Sequence, residues 1–223
     1  MNKQNNILLA QKYSFNKDLL KGKQFYCVPN YIGKNVLIIK HNKKTTINLP
    51  KAKLIKSGKH IDVQIINNSF KKEELTENTV CLKVNNINCS FADLIPILNE
   101  FDSFFVDEVA YQGKIIFNRE RRRFEFLIYD ILTYQEYHNR KGTTPYSDRR
   151  EMLNMLHKFH TLNCIDIPLP FYYGDNLKQC DAKYSAMEQN NKNIDGYLIY
   201  DESGLYKFGA NTDVLVKFKG ETL

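Results

Sequence analysis

Two lysines near the end of the chain stand at alternate positions of a short apolar run. The run reads VLVKFKG, and its lysines are Lys217 and Lys219. Alternate residues of a β-strand point to the same face, so both ammonium groups should lie on one side of the strand. Two positive charges on one face can neutralise a phosphate group. The pattern predicts an anion-binding strand, although an exposed, hydrated strand face would show the same pattern.

Three more residues could bind other parts of an anionic ligand. Asp195, in IDGYLIYD, offers a carboxylate for Mg²⁺, which prefers oxygen ligands. Tyr129, in FEFLIYDIL, offers a flat surface on which a base could stack for about 1–3 kcal/mol. Glu108, in FFVDEV, can accept hydrogen bonds from hydroxyl groups. Structural interpretations remain open for each: a turn at Asp195-Gly196, a core aromatic at Tyr129 and an edge-strand charge at Glu108.

Two clusters of basic residues give weaker indications of a binding site. Arg121, Arg122 and Arg123 lie between two strand-like runs and could bind RNA phosphates, or they could form a hydrated loop. His157 and His160 are three residues apart on a helix-like segment, but no further metal ligands stand near them in the sequence. We therefore expect these histidines to pack or to lie on the surface.

Composition limits the class of protein. The chain has 223 residues with 43% apolar and 26% charged content, which predicts a single globular domain over residues 1–223. The net charge of +7 favours an anionic partner. No apolar run approaches the ~18 residues of a membrane span, and no signal peptide is evident, so we expect a soluble, intracellular protein without a membrane partner. The five cysteines form no CxxC pair, which favours reduced, structural thiols over zinc ligands.

Periodicity in the first half predicts a short helix followed by strands. Apolar residues between Ile7 and Leu20 have helical spacing, so residues 1–20 should contain an amphipathic helix that precedes a core at 24–219. β-branched and aromatic runs then predict strands at 24–28, 35–41, 45–49, 60–66 and 79–84.

The second half mixes strands with helices. Ser90 should cap a helix that ends near Leu98, and Gln112-Gly113 should form the turn of a hairpin. Further helices are predicted from Ser147 and over 177–188, and further strands at 123–132, 196–201, 204–208 and 213–219. Many strands with a few interspersed helices predict an α+β fold of two packed antiparallel sheets with flanking helices.

The four segments, in their order, resemble the motifs with which the covalent nucleotidyltransferase superfamily binds nucleoside triphosphates. The nearest branch is the mRNA guanylyltransferases, and RNA and DNA ligases share the same core. The resemblance implies a nucleotidyltransferase-like (ATP-grasp-type) fold that binds GTP or a cap-like ligand, with Mg²⁺ as a cofactor. It also implies that Glu108 contacts the ribose, Tyr129 stacks on the purine, Asp195 holds the metal, and Lys217 and Lys219 reach the α-phosphate.

The first motif departs from the superfamily pattern. In the superfamily, the lysine of a Lys-x-Asp-Gly-x-Arg pattern attacks the α-phosphate. The matching segment here is VPNYIGKNVLII, where Gly33 agrees but Asn30, Ile32 and Asn35 replace the lysine, the aspartate and the arginine. An amide has no basic lone pair with which to attack phosphorus. Lys34 is the alternative nucleophile, but four positions of regular strand would displace its amine by roughly 13 Å.

The departures imply a binding protein. No segment for a second, OB-fold domain follows the last motif, and the degenerate first motif is similar to that of the snurportin cap-binding domain. We expect a non-catalytic domain that binds a guanine nucleotide or the capped or 5′ end of RNA, linked to mRNA 5′ capping or cap recognition. The alternatives are an active guanylyltransferase or RNA ligase subunit that forms a lysyl-NMP and is completed by a partner chain, and a scaffold with a degenerate pocket.

Overall fold

The computed structural model describes residues 11–12, 17–66, 76–159, 162–189, 193–208 and 214–219. Its strands are β1 (Gln11–Lys12), β2 (Phe25–Tyr31), β3 (Lys34–His41), β4 (Lys44–Asn48), β5 (Ala52–Ser57), β6 (His60–Ile65), β7 (Val80–Val84), β8 (Ile87–Ser90), β9 (Val109–Asn118), β10 (Arg123–Thr133), β11 (Ile165–Asp166), β12 (Tyr172–Gly174), β13 (Ile194–Asp201) and β14 (Leu215–Lys217). Its α-helices are α1 (Phe91–Phe104), α2 (Tyr134–Asn139), α3 (Tyr146–Phe159) and α4 (Leu177–Glu188), and a 3₁₀ helix spans Lys17–Leu20.

The strands form two large sheets and one small hairpin. The order of the five-stranded sheet is β1-β14-β13-β2-β12, and that of the seven-stranded sheet is β11-β10-β9-β3-β4-β5-β6. Strands β7 and β8 pair separately. Most neighbours are antiparallel, whereas β1 with β14 and β10 with β11 are parallel. The α+β prediction is confirmed, with mixed sheets in place of purely antiparallel ones.

Three apolar layers hold the sheets and helices together. One layer lies between the seven-stranded sheet and helices α1 and α3. A second lies between the two sheets, where Val28 and Leu198 of one sheet share a cluster with Leu37 and Leu127 of the other. A third lies between the five-stranded sheet and α4. Both large sheets are therefore covered on both faces, and the layer between them is enclosed by strands.

The helices begin at the capping residues that the sequence provides. The Ser90 hydroxyl accepts from the Asp93 amide, and the Ser90 amide donates to the Asp93 carboxylate, which forms a capping box that starts α1. Thr133 and Glu136 start α2 in the same way. The amide and hydroxyl of Thr143 and the amide of Thr144 also donate to the Glu136 carboxylate. Burial would raise the pKa of this carboxyl group, but the hydrogen bonds outweigh burial and lower the pKa to about 2. None of the described helices is both long and apolar enough to cross a bilayer.

Two predictions about short elements are wrong. The described part of the predicted opening helix contains strand β1 at Gln11–Lys12, which pairs with β14, and a 3₁₀ helix at Lys17–Leu20. The rest of that prediction lies outside the described residues. The predicted strand at 204–208 is reduced to one isolated bridge between Leu205 and Pro145. The single domain over residues 1–223 stays a prediction.

The predicted turn at Gln112-Gly113 is also wrong, because β9 runs through it from Val109 to Asn118. The hairpin turns later, at residues 119–122, before β10. Gly113 is required for close approach within the sheet. A β-carbon there would lie 2.0 Å from the carbonyl oxygen of Leu127 on β10 and 2.7 Å from the Phe126 ring. The sequence analysis also missed β5, β8, β11, β12 and α2.

Candidate functional site

A cavity of about 210 Å³ opens between the two sheets. An engineered cavity of about 150 Å³ can hold benzene, so this one can accept a flat ring system, with the rest of a larger ligand reaching solvent. Its wall combines aromatic and aliphatic side chains with amides and one amine. The lining residues are Asn30, Asn35, Gln112, Gly113, Lys114, Tyr129, Leu198, Tyr200, Val216 and Phe218.

Strand alternation determines which side chains line the cavity. On β13, Leu198 and Tyr200 face the inter-sheet layer, while Tyr197 and Ile199 face α4. On β9, Gln112 and Lys114 line the cavity between Ala110 and Ile116, which belong to the same layer. The inner faces of the two sheets thus supply opposite walls.

Tyr129 forms a fixed aromatic part of the wall. It occupies a bulge of β10, where the pairing with β9 shifts between Ile128 and Asp130. Its hydroxyl donates to the Pro29 carbonyl oxygen at 3.1 Å and accepts from the Tyr31 amide at 3.0 Å, which ties β10 to β2. Burial raises the pKa of this phenol, so it stays neutral. Tyr129 lines the cavity, and its contact with a base stays a prediction.

Asn30 also lies in this cavity, as the first motif predicts. Its side chain is 5% exposed, and its amide donates to the Asp195 carbonyl oxygen at 3.3 Å. Its Oδ1 accepts from Lys114 Nζ at 2.5 Å. An amine therefore reaches the position of Asn30 from a different strand, 84 residues further along the chain.

Lys114 is the site residue that the sequence analysis missed. Its ammonium group also donates to the Tyr31 carbonyl oxygen at 3.0 Å and lies 5.8 Å from the centre of the Tyr129 ring. Burial lowers the pKa of this amine to about 8, opposed by the charge of Asp195. A lysine within the apolar run VAYQGKIIF could have indicated a functional residue. The turn predicted at Gln112-Gly113 prevented that interpretation, because it ended the strand before Lys114.

Lys34, the alternative nucleophile, does not line the cavity. It begins β3, is exposed and pairs with Ile115, whose side chain belongs to the layer against α1. Alternation points Lys34 away from Asn35, which does line the cavity. Gly33 precedes it in the β2–β3 turn, where a β-carbon would lie 2.6 Å from the Ile115 carbonyl oxygen. Close packing of this turn on β9 explains the glycine.

Lys217 and Lys219 do share a face, as predicted, but it is the outer face of the five-stranded sheet. Both oxygens of Asp181 on α4 accept from Lys217 Nζ, at 2.6 and 2.7 Å. Lys219 Nζ lies 2.5 Å from Glu188 on the same helix. Val216 lines the cavity from the opposite side of β14. These two amines therefore do not line the cavity.

Glu108 lies outside the cavity as well. Its backbone φ is 64°, and its exposed carboxylate pairs with Nδ1 of His41 at 2.8 Å. His41 stacks on Tyr134, with the ring centres 3.6 Å apart. The expectation that Glu108, the two lysines, Tyr129 and Asp195 converge on one groove is thus wrong for three of the five.

Asp195 borders the cavity through an irregular part of β13. The register with β2 shifts between Ile194 and Tyr197, and Gly196 has φ 98°. A β-carbon on Gly196 would lie 1.9 Å from the Lys217 carbonyl oxygen, so the glycine lets β13 approach β14. Asp195 acts electrostatically on both Lys114 and Lys219. Its assignment as a metal ligand stays a prediction.

The basic cluster and the histidines have structural partners. Arg121 and Arg123 both contact Glu125, with N–O distances of 3.3 and 3.0 Å, and Arg122 occupies the β9–β10 turn with φ 52°. His157 lies 3.9 Å from Asp166, and His160 is outside the described residues. Within the described ranges, no three His, Cys, Asp or Glu side chains are grouped to hold a metal ion. Binding of RNA by the arginines stays a prediction.

Comparison with known proteins identifies the fold. No protein-family model matches the sequence, and no curated protein matches it significantly. A solved chain named Pmar-Lig_PreS3 superposes with a TM-score of 0.61 at 10% identity, over 95% of this chain and 46% of its own length. An ATP-dependent DNA ligase from bacteriophage T7, in complex with ATP, superposes with a TM-score of 0.56 at 11% identity, over 98% of this chain and 70% of its own length. A Naegleria gruberi RNA ligase mutant with ATP and Mn superposes with a TM-score of 0.56 at 10% identity, over 99% of this chain and 57% of its own length.

The bacteriophage T7 and Naegleria gruberi structures are ligases, which are members of the covalent nucleotidyltransferase superfamily. The chain has the fold of their nucleotidyltransferase domain, so the resemblance inferred from the motifs is confirmed at the level of fold. The chain spans about half the length of Pmar-Lig_PreS3.

Proposed function

We propose that this chain binds a nucleotide in the cavity between its sheets. The observation that carries the proposal is the composition of the cavity wall, where Tyr129, Tyr200 and Phe218 provide aromatic surface beside amides and one amine. Aromatic surface suits a base, and a few polar groups suit a sugar and a phosphate. The fold adds support, because the superposed T7 ligase structure contains ATP.

A guanine nucleotide or the capped or 5′ end of RNA is the proposed ligand. This choice rests on the resemblance of the Asp195-Gly196 segment to guanylyltransferases, and it gives the chain a role in mRNA 5′ capping or cap recognition. ATP is the competing ligand because it is named with two of the ligase structures.

We infer that binding is non-covalent. In the motif resemblance Asn30 replaces the nucleophilic lysine, and its amide, which lines the cavity, cannot attack phosphorus. Lys34 cannot replace it without a change of the β2–β3 turn, because its side chain leaves the opposite face of β3. Covalent nucleotidyl transfer, with a partner chain that completes the site, is the second candidate because the ligases share this fold.

A divalent metal fits one part of this site. Mg²⁺ is commonly bound by one or two carboxylates together with substrate phosphates. Asp195 supplies a carboxylate beside the cavity, close enough to influence the titration of Lys114. When bound, the metal would offset phosphate charge. Asp195→Asn should therefore remove any dependence of nucleotide affinity on Mg²⁺.

The test combines calorimetry with covalent labelling. GTP, ATP and a capped RNA oligonucleotide are titrated into the protein with Mg²⁺, and separate samples receive α-³²P-labelled GTP or ATP before denaturing electrophoresis. We expect micromolar to millimolar binding without label on the denatured chain. Label that survives denaturation would favour the second candidate. Failure of all three ligands to bind would leave a scaffold with a degenerate pocket.

A further inference from the structure

Lys114 is half-buried, and its environment is unlike that of Lys40 and Lys217, the two buried lysines among the described residues. Lys40 donates to three carbonyl oxygens at the end of α1, at 3.1, 2.8 and 2.7 Å, so its three donors are used. Lys217 is held by both carboxylate oxygens of Asp181. Lys114 donates to Asn30 Oδ1 and to the Tyr31 carbonyl oxygen. Its third donor has no partner among the described residues.

The cavity makes that third donor significant. Among the described side chains that line it, only Lys114 carries a charge at neutral pH. No carboxylate of the described residues contacts the ammonium group, whose partial burial carries a cost in solvation. Lys40 and Lys217 are explained by packing, because each stabilises one helix against a sheet. Lys114 links β9 to β2 across the two sheets, but both of its acceptors line or border the open cavity, and one of its donors is left without a partner among the described residues.

We propose that Lys114 binds a phosphate of the ligand, so that the cavity accepts nucleotides in preference to nucleosides with the same base. This inference rests on the proposed function. The ammonium group lies 5.8 Å from the centre of the Tyr129 ring, which places the cation beside the surface proposed for the base. A phosphate would take the third donor and would replace Asn30 or share the amine with it. Asn30 then orients the amine in the free protein.

The proposal has a consequence for pH dependence. The Lys114 pKa of about 8 means that the free protein loses this charge as the pH rises above about 8. A bound phosphate favours the ammonium form, so nucleotide binding should take up a proton above that pH and become weaker as the pH rises. The groups that face the amine are Asp195 on β13, Tyr129 on β10, Tyr31 on β2 and the uncharged Asn35 on β3. Burial raises the pKa of the Tyr129 phenol, so it keeps its proton across this range.

The experiment compares ATP with adenosine, and GTP with guanosine, by calorimetry at pH 7. The variants are Lys114→Met, Lys114→Arg and a control, Lys53→Met. Lys53 lies on the same face of the same sheet but three strands away, or roughly 14 Å. Thermal unfolding confirms that each variant is folded.

We expect wild-type protein and Lys53→Met to prefer nucleotide over nucleoside by about 10- to 100-fold, the range for a hydrogen bond to a charged group. Lys114→Met should remove this preference and leave nucleoside affinity within about threefold. Lys114→Arg should keep part of it. Folded Lys114→Met with undiminished nucleotide affinity would overturn the proposal. Should the variants fail to fold, wild-type protein decides: its ATP affinity should fall between pH 8 and 9.5 while adenosine affinity stays constant, and a flat ATP profile would refute the inference.

The two proposals fail in different ways. Wild-type protein that binds nucleoside and nucleotide equally well would retain the proposed function and overturn the assignment of Lys114. Wild-type protein that binds none of the four probes would overturn the proposed function and the inference with it.

Discussion

The lysines at the two faces of the five-stranded sheet have different partners. On the outer face, Lys217 is paired with Asp181 beneath α4, and the pair joins helix to sheet. The inner face borders the cavity, where Lys114 reaches across from β9 to Asn30 and meets no carboxylate directly. Burial lowers the pKa of Lys114, and the charge of Asp195 offsets only part of that effect. A buried charge with a full set of partners is explained by packing, whereas one facing open space suggests a ligand.

The first prediction tests the structural role of the outer face and has the largest expected effect. Lys217→Met should lower the free energy of unfolding by about 2–4 kcal/mol, since it leaves the Asp181 carboxylate without its cation in a partly buried site. Nucleotide affinity should stay within about threefold, because the amine does not line the cavity. Urea denaturation and calorimetry measure the two quantities.

A double variant serves as the control for that prediction. Lys217→Met with Asp181→Leu removes both charges, and apolar replacement of a buried pair is often neutral, so much of the lost stability should return. If Lys217→Met were fully stable but lost nucleotide binding, the outer face would be the phosphate site and the comparison between faces would be reversed.

Much of the fold could be predicted because alternation and capping are local signals. Helix α4 was predicted with its observed bounds, Leu177–Glu188, and the strand that carries Tyr129 was placed correctly. Strand β2 continues past the predicted strand at 24–28 and so includes Asn30. Alternation also predicted that Lys217 and Lys219 share a face. It could not tell which face, because residues on both sides of β14 are apolar and both sides are covered.

The rest of the site depended on contacts distant in sequence. Gln112-Gly113 has the composition of a turn, and only the carbonyl oxygen of Leu127 on the neighbouring strand reveals that the glycine permits close approach. A turn at Gln112-Gly113 would place Gln112 and Lys114 on separate strands. The predicted turn therefore concealed that these two side chains lie on the same face of one strand. The contact between Lys114 and Asn30 joins strands from different sheets, and motif spacing contains no information about it.

The second prediction concerns the inner face at the adjacent residue of β14. Val216→Phe should fill part of the cavity and reduce nucleotide affinity at least about tenfold, or about 1.4 kcal/mol. The added ring enters existing space, so stability should change by less than the ~1–3 kcal/mol of ordinary overpacking. Lys217→Met, one residue away on the opposite face, is the matched control. Unchanged affinity in folded Val216→Phe would exclude this cavity as the nucleotide site.

The last prediction has the smallest expected effect and asks whether a basic surface outside both faces accounts for binding. Arg119→Gln with Arg122→Gln removes two exposed charges from the β9–β10 turn while leaving Arg121 and Arg123 with Glu125. The turn begins after Asn118, four strand residues or roughly 13 Å from Lys114, which exceeds the Debye length of ~8 Å at physiological salt. Mononucleotide affinity should therefore stay within about threefold. If the turn contacts RNA phosphates, the log–log salt slope for single-stranded RNA should fall by about 1.4 at the same time. A mononucleotide affinity that drops more than tenfold in this variant, and not in Val216→Phe, would move the binding site from the cavity to the turn.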